Sequence, residues 1–295
     1  MFQEVKVAAI SFRPEKLKLD KNSKQLEEMF REAAAGGAQL AVAPEGVLDG
    51  YIVNEIISGK IPPEEIKRIS LTMRSKTIQY FQDLAKSLNM CLVFGLAEKL
   101  AGEVYNCAVF LDQKGKLRGK YHKMQLAEGY HHSWWWNRLG KTSRAFGTPF
   151  GRAGMLICND RWNPDIARIP VLDGARYLLI PSYGSTAQDQ DLAVLARARE
   201  NGIPIVEANV GVTLIVNKGE ITALSRKINA ITYGVISIPA KPSAQNKNKS
   251  EKEFLSWREQ EMSIRYDETL KRKEKGRQTV GTSHNNHGRL IESQD

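Results

Sequence analysis

Short apolar runs alternate along this chain with longer stretches whose apolar positions recur at helical spacing. VKVAAISF (Val5 to Phe12) reads as a strand, and Asp20 to Ala35 as a helix with Leu26, Met29, Phe30 and Ala33 on one face, closed by Gly36-Gly37. Gln39 to Ala43 is a second buried strand, stopped by Pro44-Glu45-Gly46. A strand, helix, strand order with short loops implies parallel pairing. Pro63 to Asn89 predicts one long helix. Cys91 to Glu98 and Val104 to Asp112 predict strands joined at Ala101-Gly102, and a turn at Lys114-Gly115 leads to a further strand, Leu117 to His122.

In the second half, Gly154-Met155-Leu156-Ile157 predicts a buried strand that delivers Cys158 to its end. Asn159-Asp160-Arg161 then turns the chain, and Pro164 suits the first turn of a helix with Asn163 as N-cap. Arg176 to Pro181 is a strand followed by the loop Ser182 to Ser185, and Asp189 to Asn201 is a helix ending at Gly202. Ile203 to Asn209, Thr213 to Asn217 and Tyr233 to Ile238 complete the strands, with a hairpin turn at Asn217-Lys218-Gly219. Past Pro239 the chain turns polar. Glu251 to Lys275 is charged and helical, with a partial stripe of Leu255, Met262, Tyr266 and Leu270 that needs another surface. The expected organisation is a folded domain over 1–240, a linker and helix over 241–275 packed on a partner subunit, and a disordered tail over 276–295.

A hydrophobic share of 42% over 295 residues supports a sizeable core. The net charge of +10 is scattered among acids, with no nucleic-acid motif or phosphate loop, so it reads as solvated surface. Three cysteines without a framework spacing favour a reducing compartment. With no signal-like start and no apolar stretch of membrane length, the expectation is a cytoplasmic protein without membrane or nucleic-acid partners. Cys91 and Cys107, in apolar strands without a nearby His or acid in sequence, read as core thiols. His131-His132 lack a suitably spaced third ligand, so no metal is expected. The aromatic run Trp134-Trp135-Trp136 reads as a core-packed loop, a subunit contact or a pocket wall.

Three chemically distinct residues share one kind of position. Glu45, Lys123 and Cys158 each fall at or just after the end of a buried strand, where open α/β sheets place ligands. A carboxylate can take the thiol proton, the thiolate can attack, and an ammonium can stabilise developing negative charge. A thiol on a strand-to-helix turn is expected to be solvent-reachable, with the helix N-terminus favouring its thiolate.

The segments AVAPEGVLDGY (41–51), KYHKMQL (120–126), TPFGRAGMLICNDRWNPD (148–165) and RARENGIPIVEANVG (197–211) carry a resemblance. In this order, over roughly Val5 to Ala240, the chain resembles the nitrilase (carbon-nitrogen hydrolase) superfamily, in its amidase and N-carbamoyl amino acid amidohydrolase-like branch. The resemblance implies an α/β fold, a four-layer α-β-β-α sandwich, and subunits that pair into a homodimer or larger homo-oligomer. It gives Glu45 the role of base, Lys123 that of oxyanion stabiliser and Cys158 that of nucleophile, with no cofactor. The family's second acid corresponds to Glu128, the sole acid between Lys123 and Cys158. The implied reaction cleaves a non-peptide C–N bond of an amide or N-carbamoyl substrate through a Cys thioester, with the backbone N–H of Asn159 helping to hold the oxyanion. Nitrile hydrolysis, acyl transfer and a non-catalytic scaffold are the alternatives.

Substrate-binding expectations fall on Asn159, Arg161, Tyr51 and Tyr183. ICNDR resembles the stretch that holds a substrate carboxylate in N-carbamoyl amino acid amidohydrolases, although Trp162-Asn163 departs from their pattern. Arg161 reads equally as a carboxylate clamp or as a structural partner of Asp160 or a helix-flanking acid.

Overall fold

The computed structural model describes residues 2–126 and 138–240, and beyond these only Ser256 and Gln260. The expectations for Glu128, the Trp134 to Trp136 run, the helix over Glu251 to Lys275 and the tail lie outside the described residues.

Two six-stranded sheets form the centre. The first comprises β1 (Phe2–Ser11), β2 (Leu40–Val42), β3 (Cys91–Leu100), β4 (Glu103–Leu111), β5 (Leu117–His122) and β12 (Ala230–Pro239), in the order β12-β1-β2-β3-β4-β5. The second comprises β6 (Phe146–Thr148), β7 (Gly151–Met155), β8 (Leu178–Ser182), β9 (Ile205–Asn209), β10 (Val212–Asn217) and β11 (Glu220–Ser225), in the order β11-β10-β9-β8-β7-β6. Each sheet has a parallel heart, β1-β2-β3 and β7-β8-β9, flanked by antiparallel strands.

The two-residue period of a strand decides which core each side chain joins. Val5, Val7, Ala9, Leu40, Val42, Cys91 and Val93 point inward to a core shared with the second sheet. Their neighbours Ala8, Ile10, Ala41, Ala43, Leu92 and Phe94 point outward to α1 (Leu19–Ala35) and α4 (Lys76–Leu88). Phe30, Phe81 and Phe94 meet there edge-on or tilted. On the far side, α5 (Pro164–Leu172) and α6 (Gln188–Asn201) cover the second sheet with Ile166, Ile169, Val194 and Ala198. Apolar runs buried on both faces thus produce the expected four-layer α-β-β-α sandwich. Among the described residues no helix is long and apolar enough to cross a membrane.

The long helix expected over Pro63 to Asn89 is two helices, α3 (Glu64–Ile69) and α4. Between them the chain extends so that Leu71 exchanges backbone hydrogen bonds with Ala97 and Lys99 at the end of β3. Ser75 then caps α4 by accepting from Ile78 N–H. A long-range strand contact overrides local helical spacing. The short helix α2 (Val53–Ile57) is an element the apolar pattern does not announce. The Asn217-Lys218-Gly219 turn has the positive φ values a tight hairpin needs, and it leads into β11.

The loop after β2 is clamped onto β3. Gly95 N–H donates to Pro44 O, and Asp49 accepts from Tyr51 N–H and Ala97 N–H. At Gly95 a Cβ would fall 2.5 Å from Gly46 N and 2.6 Å from Glu45 Cα, so the close approach requires glycine. Gly95→Ala should therefore destabilise the fold by about 1–3 kcal/mol and displace Glu45. Denaturant unfolding alongside an activity assay checks this, and wild-type values in both would refute the packing argument.

Candidate active site

Glu45 ends the first parallel segment, and its carboxylate is fully buried among three donors. Lys123 Nζ donates to Oε1 at 2.7 Å, Asn106 Nδ2 to the same oxygen at 2.6 Å, and Tyr183 N–H to Oε2 at 2.9 Å. Lys123 is also fully buried and follows directly on β5. The backbone N–H of Glu45 donates to Ser182 O, so this acid also joins the two sheets. No motif in the sequence marks Asn106. Its signal is a polar residue in phase with Val104, Ala108 and Phe110 on the inward face of β4.

Cys158 opens a 3-10 turn, Cys158–Trp162, between β7 and α5. The strand ends earlier than expected, at Met155, although Leu156 N–H still donates to Leu179 O. Cys158 has φ +46°, an uncommon value for a residue with a side chain. Its Sγ lies 3.6 Å from Tyr183 O, so thiol and Glu45 meet on the same residue of the β8 loop. The expectation of an open thiol with favoured thiolate is corrected here. Cys158 is only 5% exposed, and burial first, then the Glu45 charge, pushes its thiol up to about 11 against the opposing pull of Lys123 and Arg161. Asn163 caps α5 as expected, accepting from Asp165 N–H at 3.0 Å.

Asp160 anchors the turn. Its carboxylate accepts from Ile157 N–H at 3.0 Å, Met124 N–H at 3.2 Å, Gln125 N–H at 2.8 Å and Tyr121 O–H at 2.8 Å. It thereby ties the Cys158 turn to the Lys123 segment. It has no ion pair with Arg161. That guanidinium is paired instead with Glu207 on β9, and its Nη1 donates to Ser182 Oγ at 2.8 Å. No motif marks Glu207; its one signal in the sequence is an acid inside the apolar run IVEAN. The side-chain amide of Asn159 donates to Leu126 O at 3.2 Å, and its backbone N–H sits in the first turn of the 3-10 segment, where such groups lack intra-turn acceptors.

Tyr51 and Tyr183 are brought together, their rings stacked with centroids 4.9 Å apart. Lys123 Nζ lies 5.8 Å from the Tyr51 ring centroid. Lys16 Nζ donates to Tyr51 O at 2.8 Å, lies 4.9 Å from the Tyr183 ring centroid and pairs with Glu55 at 3.2 Å. A small recess next to the Glu45 loop is lined in part by Gly46, Tyr51, Val53, Ala97, Val104 and Asn106.

Cys107 is the core thiol expected, but it is not without His and acid neighbours. Antiparallel pairing sets it opposite His122 and brings Glu98 close, with possible ligand atoms of the three within 4.8 Å of one another. Glu98 is already engaged by His122 and by Lys120 Nζ at 2.7 Å, which hold its carboxyl below the usual range despite burial. Burial pushes the Cys107 thiol well up. The cluster is a neutralised acid on the outer face of the sheet, behind Asn106 and Lys123.

A four-layer sandwich with a carboxylate-ammonium pair and a buried thiol between its two sheets is the architecture of the nitrilase fold. Residues 6–224 match the carbon-nitrogen hydrolase family, and the chain belongs to it. It is an enzyme that hydrolyses C–N bonds other than peptide bonds. A nitrilase of Pyrococcus abyssi is 31% identical over 206 residues, covering 70% of this chain and 74% of that protein. The N-carbamoylputrescine amidase of Arabidopsis thaliana is 30% identical over 194 residues, 62% of this chain and 63% of that protein. Among solved structures, the amidase of Nesterenkonia sp. AN1 superposes with a TM-score of 0.67 at 20% identity, over 80% of this chain and 93% of that one.

Burial raises the Asp160 carboxyl to about 6, against 3.8 for the free group. The native state therefore takes up this proton before the unfolded chain does, and this group makes stability rise as pH falls from 7 to 5. Asp160→Asn lacks that gain. It should lose about 1 kcal/mol more, relative to wild type, at pH 5 than at pH 7. Urea melts at the two pH values check this, and a pH-independent difference would contradict it.

Proposed function

We propose that this enzyme hydrolyses a small amide or N-carbamoyl compound through a thioester on Cys158, with Glu45 as general base and Lys123 as oxyanion stabiliser. The observation that carries this reading is the shared anchoring of Glu45 and Cys158. One oxygen of Glu45 accepts from Tyr183 N–H while Cys158 Sγ sits 3.6 Å from Tyr183 O, with the Lys123 ammonium on the other oxygen of the same carboxylate. A mutant of the Nesterenkonia amidase in which acrylamide has added to the active-site cysteine supports the thiol as the reacting atom.

Glu45 takes the Cys158 proton as sulfur bonds to the carbonyl carbon. The tetrahedral oxyanion is held by Lys123 and the backbone N–H of Asn159. Glu45 returns its proton to the nitrogen, the C–N bond breaks, and ammonia or an amine departs. Water, deprotonated by Glu45 and oriented by Glu128, then cleaves the thioester to the acid and regenerates the thiol. Asn106, as a second donor to Glu45, keeps the carboxylate aimed through both half-reactions.

Charge supports the choice of substrate. Arg161 is paired through Nη1 with Glu207, so its charge is already offset and draws a substrate carboxylate less strongly than a free guanidinium would. An amide or N-carbamoyl amine, which offers no carboxylate there, fits better than an N-carbamoyl amino acid. Tyr51 and Tyr183 supply an aromatic wall for its apolar part. The reading extends to a cytoplasmic homo-oligomer, which analytical ultracentrifugation of the full chain would test.

Ammonia release from a panel of aliphatic amides, N-carbamoyl amines, N-carbamoyl amino acids and nitriles tests the function. Amides and carbamoyl amines should turn over fastest. Cys158→Ala should abolish turnover with the fold intact, and Glu45→Gln should reduce it by about a hundredfold or more. Turnover surviving in Cys158→Ala would end the thioester mechanism.

A further inference from the structure

We propose that Arg161 is a further catalytic residue of the Cys158 centre, a second cation that faces the sulfur and favours its thiolate. The geometry begins with the turn. Cys158 and Arg161 stand three residues apart in one short turn, and their side chains meet. Arg161 Nη2 lies 3.9 Å from Cys158 Sγ, and the side chain is almost wholly buried.

The guanidinium is oriented from the opposite side. Nη1 donates to Ser182 Oγ and pairs with Glu207, while Ser182 O–H donates to the same Glu207 oxygen at 2.7 Å. Gln190 Nε2 approaches the other Glu207 oxygen at 3.4 Å. Arg197 Nη1 donates to Arg161 O at 3.2 Å, which fixes the backbone. Nε of Arg161 has no acceptor among the described residues. Glu207 makes burial of the cation tolerable, and Nη2 is left turned to the thiol.

The chemistry follows from charge. When the Cys158 proton moves to Glu45, negative charge moves from carboxylate to sulfur. Lys123 stands beside the carboxylate that loses charge, whereas Arg161 stands beside the sulfur that gains it. A guanidinium stays protonated at any working pH, so its contribution does not depend on its own titration. Between two buried side chains such a charge is screened less than at the surface.

This proposal rests on Cys158 being the nucleophile, and its test reads the sulfur without a substrate. The rate of Cys158 carbamidomethylation by iodoacetamide is followed across pH in the full chain by peptide mass spectrometry, with circular dichroism confirming the fold. Arg161→Gln should move the midpoint up by about one pH unit, which is about a tenfold slower alkylation at a fixed pH below it. Arg161→Lys should move it less. Glu207→Gln should move it down, because the guanidinium then loses its competing anion. A merely structural pair would give no such opposite shifts. An unchanged midpoint in folded Arg161→Gln, or an unchanged or raised one in Glu207→Gln, overturns the proposal. Should Arg161→Gln not fold, the isosteric Glu207→Gln decides alone. Lack of turnover on amides would count against the proposed function and leave this measurement readable.

Discussion

The ion pair between Glu45 and Lys123 is the constraint on which the rest of the structure depends. Both groups are fully buried, and taking two charges out of water costs several kcal/mol each unless the geometry and remaining hydrogen bonds compensate. Compensation is spread over four parts of the chain: Glu45 after β2, Asn106 on β4, Lys123 after β5 and Tyr183 after β8. None of these elements can shift alone without stranding a buried charge. The tight approach of Gly95 to Glu45 and Gly46 lies beside this pair.

A second buried network does the same for the other sheet. Asp160 collects backbone donors from both sides of the site, and Arg161 is locked to Glu207 and Ser182. The turn carrying Cys158 is thus held at its middle and its far end. This explains how a residue with a side chain keeps a positive φ at the reacting position. The two networks meet at Ser182 and Tyr183, whose backbone carbonyl or amide groups contact Glu45 while Ser182 Oγ joins the Arg161-Glu207 pair. The thiol lies between them.

The legible part of the fold is the part governed by near neighbours. Period-two alternation in β1 sorts Val5, Val7 and Ala9 from Ala8 and Ile10, and the cap at Asn163 follows from one side chain and one proline. The same local reasoning fails over 70–75, where Leu71 leaves the helical pattern to pair with β3. It also fails for Cys107, whose His122 and Glu98 neighbours arrive only through strand pairing.

By itself the sequence determined most of the strands, the main flanking helices and the three chemical groups at strand ends, because periodicity and breakers are properties of contiguous residues; the four layers followed from the family resemblance that its motif order carries. The tertiary structure alone decided their environment. It buried Cys158, supplied Asn106 to Glu45, gave Arg161 to Glu207 rather than to Asp160, and stacked Tyr51 on Tyr183. The physical reason is that charge pairing and desolvation act through space. Residues 61 positions apart, as Glu45 and Asn106 are, become partners only when β2, β3 and β4 align in one sheet, and the second sheet then buries them.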